Sequence, residues 1–138
     1  MRTSFTAVDI VWTRLKTSPL SAAISGGIYK HGRPLNSGKE DCVVNSLPIS
    51  GAQLQEGVLN VNIHVPNIVI VSEGNQDATQ PNSPRLDELT RIAIDRLTDA
   101  WEESGDVNFT IEQQVLIQED SINEHYSNIR LTFFSVNV

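Results

Sequence analysis

The chain has 138 residues, of which 39% are hydrophobic and 20% charged, and its net charge is −7. This length fits one domain with a single core, and the composition excludes disordered, collagen-like and coiled-coil proteins. No apolar run approaches the roughly 20 residues that a membrane helix needs, and the sequence predicts neither a membrane anchor nor a signal peptide.

The first third of the chain predicts two short helices and one extended segment. Apolar residues recur at helical spacing between residues 7 and 16, at Val8, Val11, Trp12 and Leu15. Ser18 and Pro19 suit the start of a second helical turn, which we expect Gly26 and Gly27 to end by adopting a left-handed conformation. The following stretch "GIYKHGRP" is extended. Because no lysine and hydroxyl residue follow the glycines at the required spacing, they predict a helix stop and not a phosphate-binding loop.

Two strands and a loop are expected in the middle of the chain. Residues 40–49 form the first strand, with Pro48 indicating an edge position. Residues 57–71 form the clearest strand, because apolar residues alternate with polar ones, as Leu59, Val61, Ile63 and Val65 against Asn60, Asn62 and His64. Pro66 is expected to break or bulge this strand. The stretch "SEGNQDATQPNS", residues 72–83, has no large apolar residue and predicts a flexible loop.

The last third predicts a long helix and two strands. The helix spans residues 83–105, with Ser83 and Pro84 at its start. Its expected buried stripe is Leu86, Leu89, Ala93, Leu97, Ala100 and Trp101. Strands follow at residues 109–117 and 125–138, and the second shows a parity slip after Phe133 that predicts a bulge. The element order predicts one α+β domain over residues 1–138, with two principal helices on one face of a mainly antiparallel sheet.

A search for reactive constellations predicts no catalytic, cofactor or metal site. The histidines His31, His64 and His125 are far apart in sequence, and a single cysteine builds neither a zinc site nor an internal disulfide. Cys42 lies in an apolar strand and is expected to be a buried, inert thiol. Because a single cysteine cannot form an internal disulfide, the sequence favours a reducing compartment. The sequence thus predicts that the protein is not an enzyme.

Charge is distributed unevenly along the chain. Residues 1–40 carry six Lys and Arg against two acids, a net +4, whereas residues 41–138 carry four Arg against fifteen acids, a net −11. Opposite signs at two ends of a subunit favour head-to-tail association. We therefore expect a subunit interface in which basic residues meet an acidic neighbour and the terminal strand supplies apolar contact. The candidate residues are Lys30, Arg33, Lys39, Phe134 and Val136.

The order of elements resembles that of the tail-terminator or tail-completion proteins of long-tailed bacteriophages and prophages. The stretches that carry the resemblance are "LSAAISGGIYKHGRP", "GVLNVNIHVPN", "RLDELTRIAIDRLTDAW", "FTIEQQVLIQE" and "HYSNIRLTFFSVNV". Together they cover nearly the whole chain, with "GIY" before a basic turn and "EH" before the last strand as local motifs.

The resemblance implies a structural role in the virion and no catalytic residues. Such subunits assemble into a ring, commonly a hexamer, that caps the finished tail tube and presents a surface to the head connector. Their partners are the tail tube protein and the head-closure protein, and DNA passes through the lumen without specific binding. An acidic balance suits such a conduit because it does not retain DNA phosphates. The implied location is the bacterial host cytoplasm during assembly, and then the tail and neck of the virion.

Two alternatives stay open at this point. The protein could be another neck component, such as a head-closure or adaptor protein. It could also be a small enzyme or ligand-binding α+β domain with a site between subunits, in which case a pocket containing His64, Asn60 and Asn62 would be expected.

Overall fold

The computed structural model describes residues 1–98, 100–102 and 105–136, with the backbone alone at residues 100, 101 and 120. Within this range the chain has an α+β fold, as predicted, with a mainly antiparallel six-stranded sheet and a separate two-stranded hairpin. The elements are α1 Ser4–Lys16, α2 Leu20–Ala23, β1 Ile28–Lys30, β2 Asp41–Ile49, β3 Leu54–Pro66, β4 Ile68–Ser72, β5 Asn75–Gln80, α3 Ser83–Leu97, β6 Ala100–Trp101, β7 Val107–Glu119, a 3-10 turn Asp120–Ile122, and β8 Glu124–Val136.

The sheet has the strand order β1-β2-β3-β8-β7-β6. β1 runs parallel to β2, and the other neighbouring pairs are antiparallel. Alternate residues of β3 and β8 point to the same face, where α1 and α3 cover them and exclude water. The centre of this core consists of Leu59, Val61, Ile63, Ile129, Leu131 and Phe133, all with no exposed surface.

The first helix begins earlier than its apolar spacing predicts. Thr3 caps α1, since its side chain accepts a hydrogen bond from the backbone N–H of Thr6. The predicted apolar positions Val8, Val11 and Leu15 are buried against the sheet. Trp12 is only half-buried, because its indole Nε1 reaches the rim and donates a 2.8 Å hydrogen bond to the carbonyl oxygen of Ile28. This bond ties α1 to the start of β1.

The second long helix is shorter than predicted. α3 begins after the Asn82 cap and ends at Leu97, because Thr98 already has an extended backbone. Residues 100 and 101 pair with β7 as strand β6, so the prediction of a helix to residue 105 with Trp101 on its stripe is wrong. The sequence is acidic from residue 99 to 103, and negative charge disfavours a helix C-terminus. The side chain of Trp101 lies outside the described residues.

The bulge predicted in the last strand lies in its neighbour. β8 pairs with β3 in unbroken register from Glu124 to Val136, whereas the register with β7 shifts between Ile111 and Gln113. The side chain of Ser135 therefore stays on the core face, and its hydroxyl accepts a 2.7 Å hydrogen bond from Nη1 of Arg2. A satisfied polar residue on the core side produced the misleading change of parity.

Strand β3 ends at Pro66, as the sequence predicts, and the segment after it forms a hairpin where the sequence predicts a flexible loop. Pro66 ends β3, and β4 pairs with β5 through a two-residue turn at Glu73 and Gly74. Both turn residues have positive φ, 51° and 80°, which is the geometry of the tight hairpin turn that matches strand twist. The prediction of a loop without secondary structure at residues 72–83 is therefore wrong.

Candidate functional site

The hairpin formed by β4 and β5 presents an apolar strand to solvent. Each residue of β4 is exposed, and the exposed fractions reach 39% for Ile68, 59% for Val69, 44% for Ile70 and 65% for Val71. Successive side chains of a strand point to opposite faces, so both faces of β4 are apolar. Exposed apolar surface is typical of sites of interaction.

The base of the hairpin is fastened to the sheet by one asparagine. The backbone N–H of Asn67 donates to the carbonyl oxygen of Asn123 at 3.1 Å, and its Nδ2 donates to that of Ala78 at 2.7 Å. Its Oδ1 lies 2.7 Å from Nδ1 of His125, a side chain with little exposed surface. These contacts join β3, β5 and β8, so the hairpin leaves the subunit from a fixed base.

A second apolar surface lies on the edge of β7. Strand β6 pairs only with Phe109 and Asn108 of β7, so no strand of the described chain pairs with that edge beyond Phe109. Val115 and Leu116 lie on this stretch with exposed fractions of 43% and 48%. They point to opposite faces of the sheet, since Val115 lies opposite Asn128 and Leu116 opposite Ser127. An open strand edge of this kind can accept a further strand.

Two of the three basic residues predicted at an interface are engaged within the chain. The ammonium of Lys30 lies 2.8 Å from a carboxylate oxygen of Asp9 and 4.5 Å from the ring centre of Trp12. Arg33 is largely buried and forms ion pairs with Asp41 and Glu124. Lys39 is exposed in the loop between β1 and β2. Lys39 is therefore the predicted basic residue most accessible to a partner.

The two apolar residues predicted at the interface lie together, but far from Arg33. Phe134 and Val136 border a cavity of about 220 Å³ with Leu54 of β3. The ion pair of Arg33 is made at Glu124, the opposite end of β8. Ten residues of strand separate Glu124 from Phe134, roughly 30 Å. The five predicted residues thus do not form a single surface.

A cluster of charged side chains is buried on the sheet face opposite the helices. Nη2 of Arg33 donates to Oε1 of Glu124 at 2.5 Å, and Nη1 donates to Oδ2 of Asp41 at 3.3 Å. The hydroxyl of Ser37 also donates to Asp41. Nδ1 of His64 lies 3.5 Å from the same oxygen of Glu124. The cluster holds the β1–β2 loop against the ends of β2, β3 and β8.

Burial shifts the titration of two members of this cluster. The loss of solvent around His64, assisted by the nearby Arg33 guanidinium, lowers the pKa of its imidazole to about 4. Burial likewise raises the pKa of Glu124, against the opposing effect of its hydrogen bond from Arg33. His64 is therefore neutral at physiological pH although two carboxylates lie near it.

The glycine pair that follows α2 contributes to the same cluster. Oδ1 of Asp41 accepts a 3.1 Å hydrogen bond from the backbone N–H of Gly27. A Cβ at Gly26 would collide with this carboxylate, and neither glycine has a positive φ. The expected left-handed stop is therefore wrong. Gly26 is explained by the close approach of Asp41, and Gly27 by that of the Tyr29 ring. The backbone N–H of Gly27 thus binds an anion, but it is a side chain of this protein. The backbone N–H of Gly26 donates instead to the carbonyl oxygen of Glu40 at 2.8 Å.

The remaining polar residues of this face bind one another. Nδ2 of Asn128 donates to Oδ1 of Asn62 at 2.7 Å and to Oδ1 of Asn60 at 3.2 Å. Asn60 in turn donates to Asn45 at 3.3 Å. His64 packs against the ring of Tyr126 with ring centres 4.7 Å apart. These contacts account for the asparagines on the polar face of β3 as a structural network.

The other residues considered for chemistry are dispersed. Cys42 is buried, and desolvation raises the pKa of its thiol to about 12. His31 is exposed in a loop and contacts Phe5. Among the described residues no three His, Cys, Asp or Glu side chains are grouped so that they could hold a metal ion. No helix within the same residues is long and apolar enough to cross a membrane.

Comparison with known proteins assigns no family. The chain matches none of the family models against which it was scanned, and no curated protein matches its sequence.

Proposed function

We propose that the protein is a structural subunit that associates head-to-tail with copies of itself into a ring. Such a ring, together with the resemblance of the element order, favours a tail-terminator role for the protein. The ring would cap a phage tail tube and join it to the head-closure protein, and DNA would pass through the lumen without being read. A head-closure or adaptor position in the same neck is the second candidate, since it needs the same kind of association.

The observation that carries the proposal is the exposed apolar strand β4. Four consecutive β-branched apolar residues, Ile68 to Val71, are all exposed in the single subunit. Proteins protect exposed apolar strands from unwanted pairing, and a contiguous apolar patch is normally covered by a partner in the working state. The hairpin has a fastened base, which favours a defined docking element.

The strength of one such contact limits what the free subunits do. Burying the exposed half of each β4 side chain contributes about 1 kcal/mol. Four side chains do not offset the 4–15 kcal/mol or so that association costs in lost freedom. A ring gives each subunit two contacts, and a tube end gives it a template. We therefore expect monomers in dilute solution and rings at high concentration or on a tube end.

The test is the state of association over a wide concentration range. Analytical ultracentrifugation and negative-stain electron microscopy should show monomers converting into a closed ring of defined subunit number. Purified tail tube protein should shift the conversion to lower concentration. A protein that stays monomeric at the highest concentration, with and without tube, would rule out the proposal. Genes for tail tube, tape measure and portal beside this gene would be expected on the same hypothesis.

A further inference from the structure

We propose that β4 of one subunit adds as a strand to the open edge of β7 in the next subunit, so that the sheet continues across the joint. This inference rests on the proposed association and identifies the surfaces that make it. The occupant of the β7 edge is a second copy of this chain.

The two strands have matching open edges. β4 pairs on one side with β5, which leaves its other edge without a strand partner in the described chain. β7 has its open edge beyond Phe109, over residues 110–117. Five residues of β4 fit within these eight. Strand addition then satisfies backbone groups on both sides, which is the usual source of affinity in this mode of recognition.

Their side chains also match on both faces of the sheet. A strand added to β7 meets Val115 on one face and Leu116 on the other. β4 carries apolar residues on both of its faces, Ile68 and Ile70 on one and Val69 and Val71 on the other. Neighbouring cross-strand pairs of branched apolar residues stabilise a sheet. A strand with a polar face, such as β5, would leave one of the two β7 residues against polar groups.

The size of this contact agrees with assembly into a closed ring. One added strand of five residues buries a few hundred square ångströms, below the roughly 800 Å² per partner of a stable two-chain complex. Donor and acceptor are different surfaces of the same subunit, so the contact is heterologous and leaves one of each free on every dimer. Only closure of the ring uses all of them.

Charge opposes the contact and does not drive it. The hairpin carries Glu73 and Asp77, and the β7 edge carries Glu112 and Glu119. Like charges at a joint are screened by salt. We therefore expect added salt to strengthen the association, whereas a joint held by the basic residues would weaken.

Cross-linking between two singly substituted proteins tests the pairing directly. Val71→Cys and Val115→Cys each introduce one exposed thiol, while Cys42 is buried with a thiol pKa raised to about 12 and does not compete. One of the two proteins carries a mass tag, and a short bismaleimide is added to each protein alone and to the mixture at high concentration. The expected result is a mixed product at least tenfold more abundant than either homodimer.

Each other result overturns the inference in an identifiable way. Homodimers of Val71→Cys alone would mean that hairpins pair with each other, and homodimers of Val115→Cys alone that β7 edges do. Rings without mixed products would leave the proposed function intact and refute this joint, which would point to the cavity beside Phe134 as the acceptor. Mixed products in a particle of only two subunits would support the strand pairing and refute the ring.

Charge insertion supplies a matched control. Val69→Lys with Val71→Lys should abolish both the mixed product and the ring, because two ammonium groups would be placed in the apolar joint. Gln76→Lys with Gln80→Lys adds the same charge to the neighbouring strand β5 and should leave the ring intact. Lys39→Cys in place of Val71→Cys checks that an exposed thiol alone gives no product. Equal loss of assembly in both lysine pairs would contradict the pairing.

Discussion

β3 and β4 follow one another in the chain and are both rich in branched apolar residues, yet they lie in opposite environments. In β3 the apolar residues alternate with polar ones, and Leu59, Val61 and Ile63 are fully buried under the helices. In β4 every position from Ile68 to Val71 is apolar, and every one is exposed. An alternating strand needs cover on one face only, which a single subunit supplies. A strand that is apolar on both faces needs cover on both, and a two-stranded hairpin cannot provide it.

The largest effect on the free energy of unfolding is expected at the buried ion pairs beside the end of β3. Arg33→Ala removes the cation that compensates Asp41 and Glu124, two buried carboxylates. Breaking a buried ion pair on one side costs about 3–5 kcal/mol of the free energy of unfolding. Urea denaturation at neutral pH measures it, with Lys39→Ala in the same loop as a control that should change little. A cost below that of an ordinary surface substitution would show that solvent reaches this cluster.

A matched pair of substitutions compares the two strands themselves. Ile63→Ala in β3 removes a fully buried side chain and should lower the free energy of unfolding by about 2–5 kcal/mol. Ile70→Ala in β4 removes a side chain that is 44% exposed, and we expect a loss of less than about 1 kcal/mol in the monomer. The two unfolding curves are compared at a concentration where the protein is monomeric. Similar losses would mean that the hairpin folds onto its own subunit in solution.

The polar face of β3 should make stability depend on pH. The pKa of His64 is about 4 in the fold and 6.5 ordinarily, so the unfolded chain binds the proton more strongly. Neutral His64 makes its full contribution to the free energy of unfolding above about pH 6.5. This contribution, up to about 3 kcal/mol, is lost as the pH falls towards 4. Glu124 acts in the opposite sense. Because its pKa is raised in the fold, its contribution to the free energy of unfolding is lost as the pH rises.

Variants separate the two contributions. His64→Gln should flatten the change of unfolding free energy between pH 6.5 and 4, while His31→Gln, at an exposed loop position, should leave it in place. The measurement is urea unfolding at half-unit steps of pH. An unchanged slope in His64→Gln would assign the pH dependence to the carboxylates.

Those parts of the fold that depend on periodicity within one subunit could be predicted from the sequence. The alternation in β3 and the helical spacing of Val8, Val11 and Leu15 were sufficient, because each pattern reflects one buried face. The end of α3 was predicted wrongly, since Trp101 continued a helical spacing while pairing with β7 decided its conformation. The sequence predicts the bulge in β8, which is wrong, because the hydrogen bond between Ser135 and Arg2 is not visible in a sequence.

The candidate site was harder to predict than the fold. The hairpin strand β5 has no large apolar residue, so its sequence is typical of a loop. Only the Glu73–Gly74 turn between two short segments could have indicated a hairpin. The burial of Arg33 depends on Glu124, which is 91 residues away in the chain. A count of charges cannot distinguish a paired, buried cation from an exposed one. For this reason the predicted interface combines residues that do not share one surface.

The most local effect is expected at the base of the hairpin, where β3 ends and β4 begins. Asn67→Ala removes the bonds to Ala78 and His125 but keeps the backbone bond to Asn123. Net losses of about 1–2 kcal/mol are typical for such bonds, and here they should lower the local opening energy of the hairpin more than global stability. Hydrogen exchange of the amides in residues 68–80 measures this, with Asn60→Ala on the polar face of β3 as the control. Faster exchange in the hairpin of Asn67→Ala but not of Asn60→Ala, together with weaker ring formation, would show that the fixed base prepares β4 for docking. Unchanged exchange in Asn67→Ala would mean that the turn suffices to hold the hairpin.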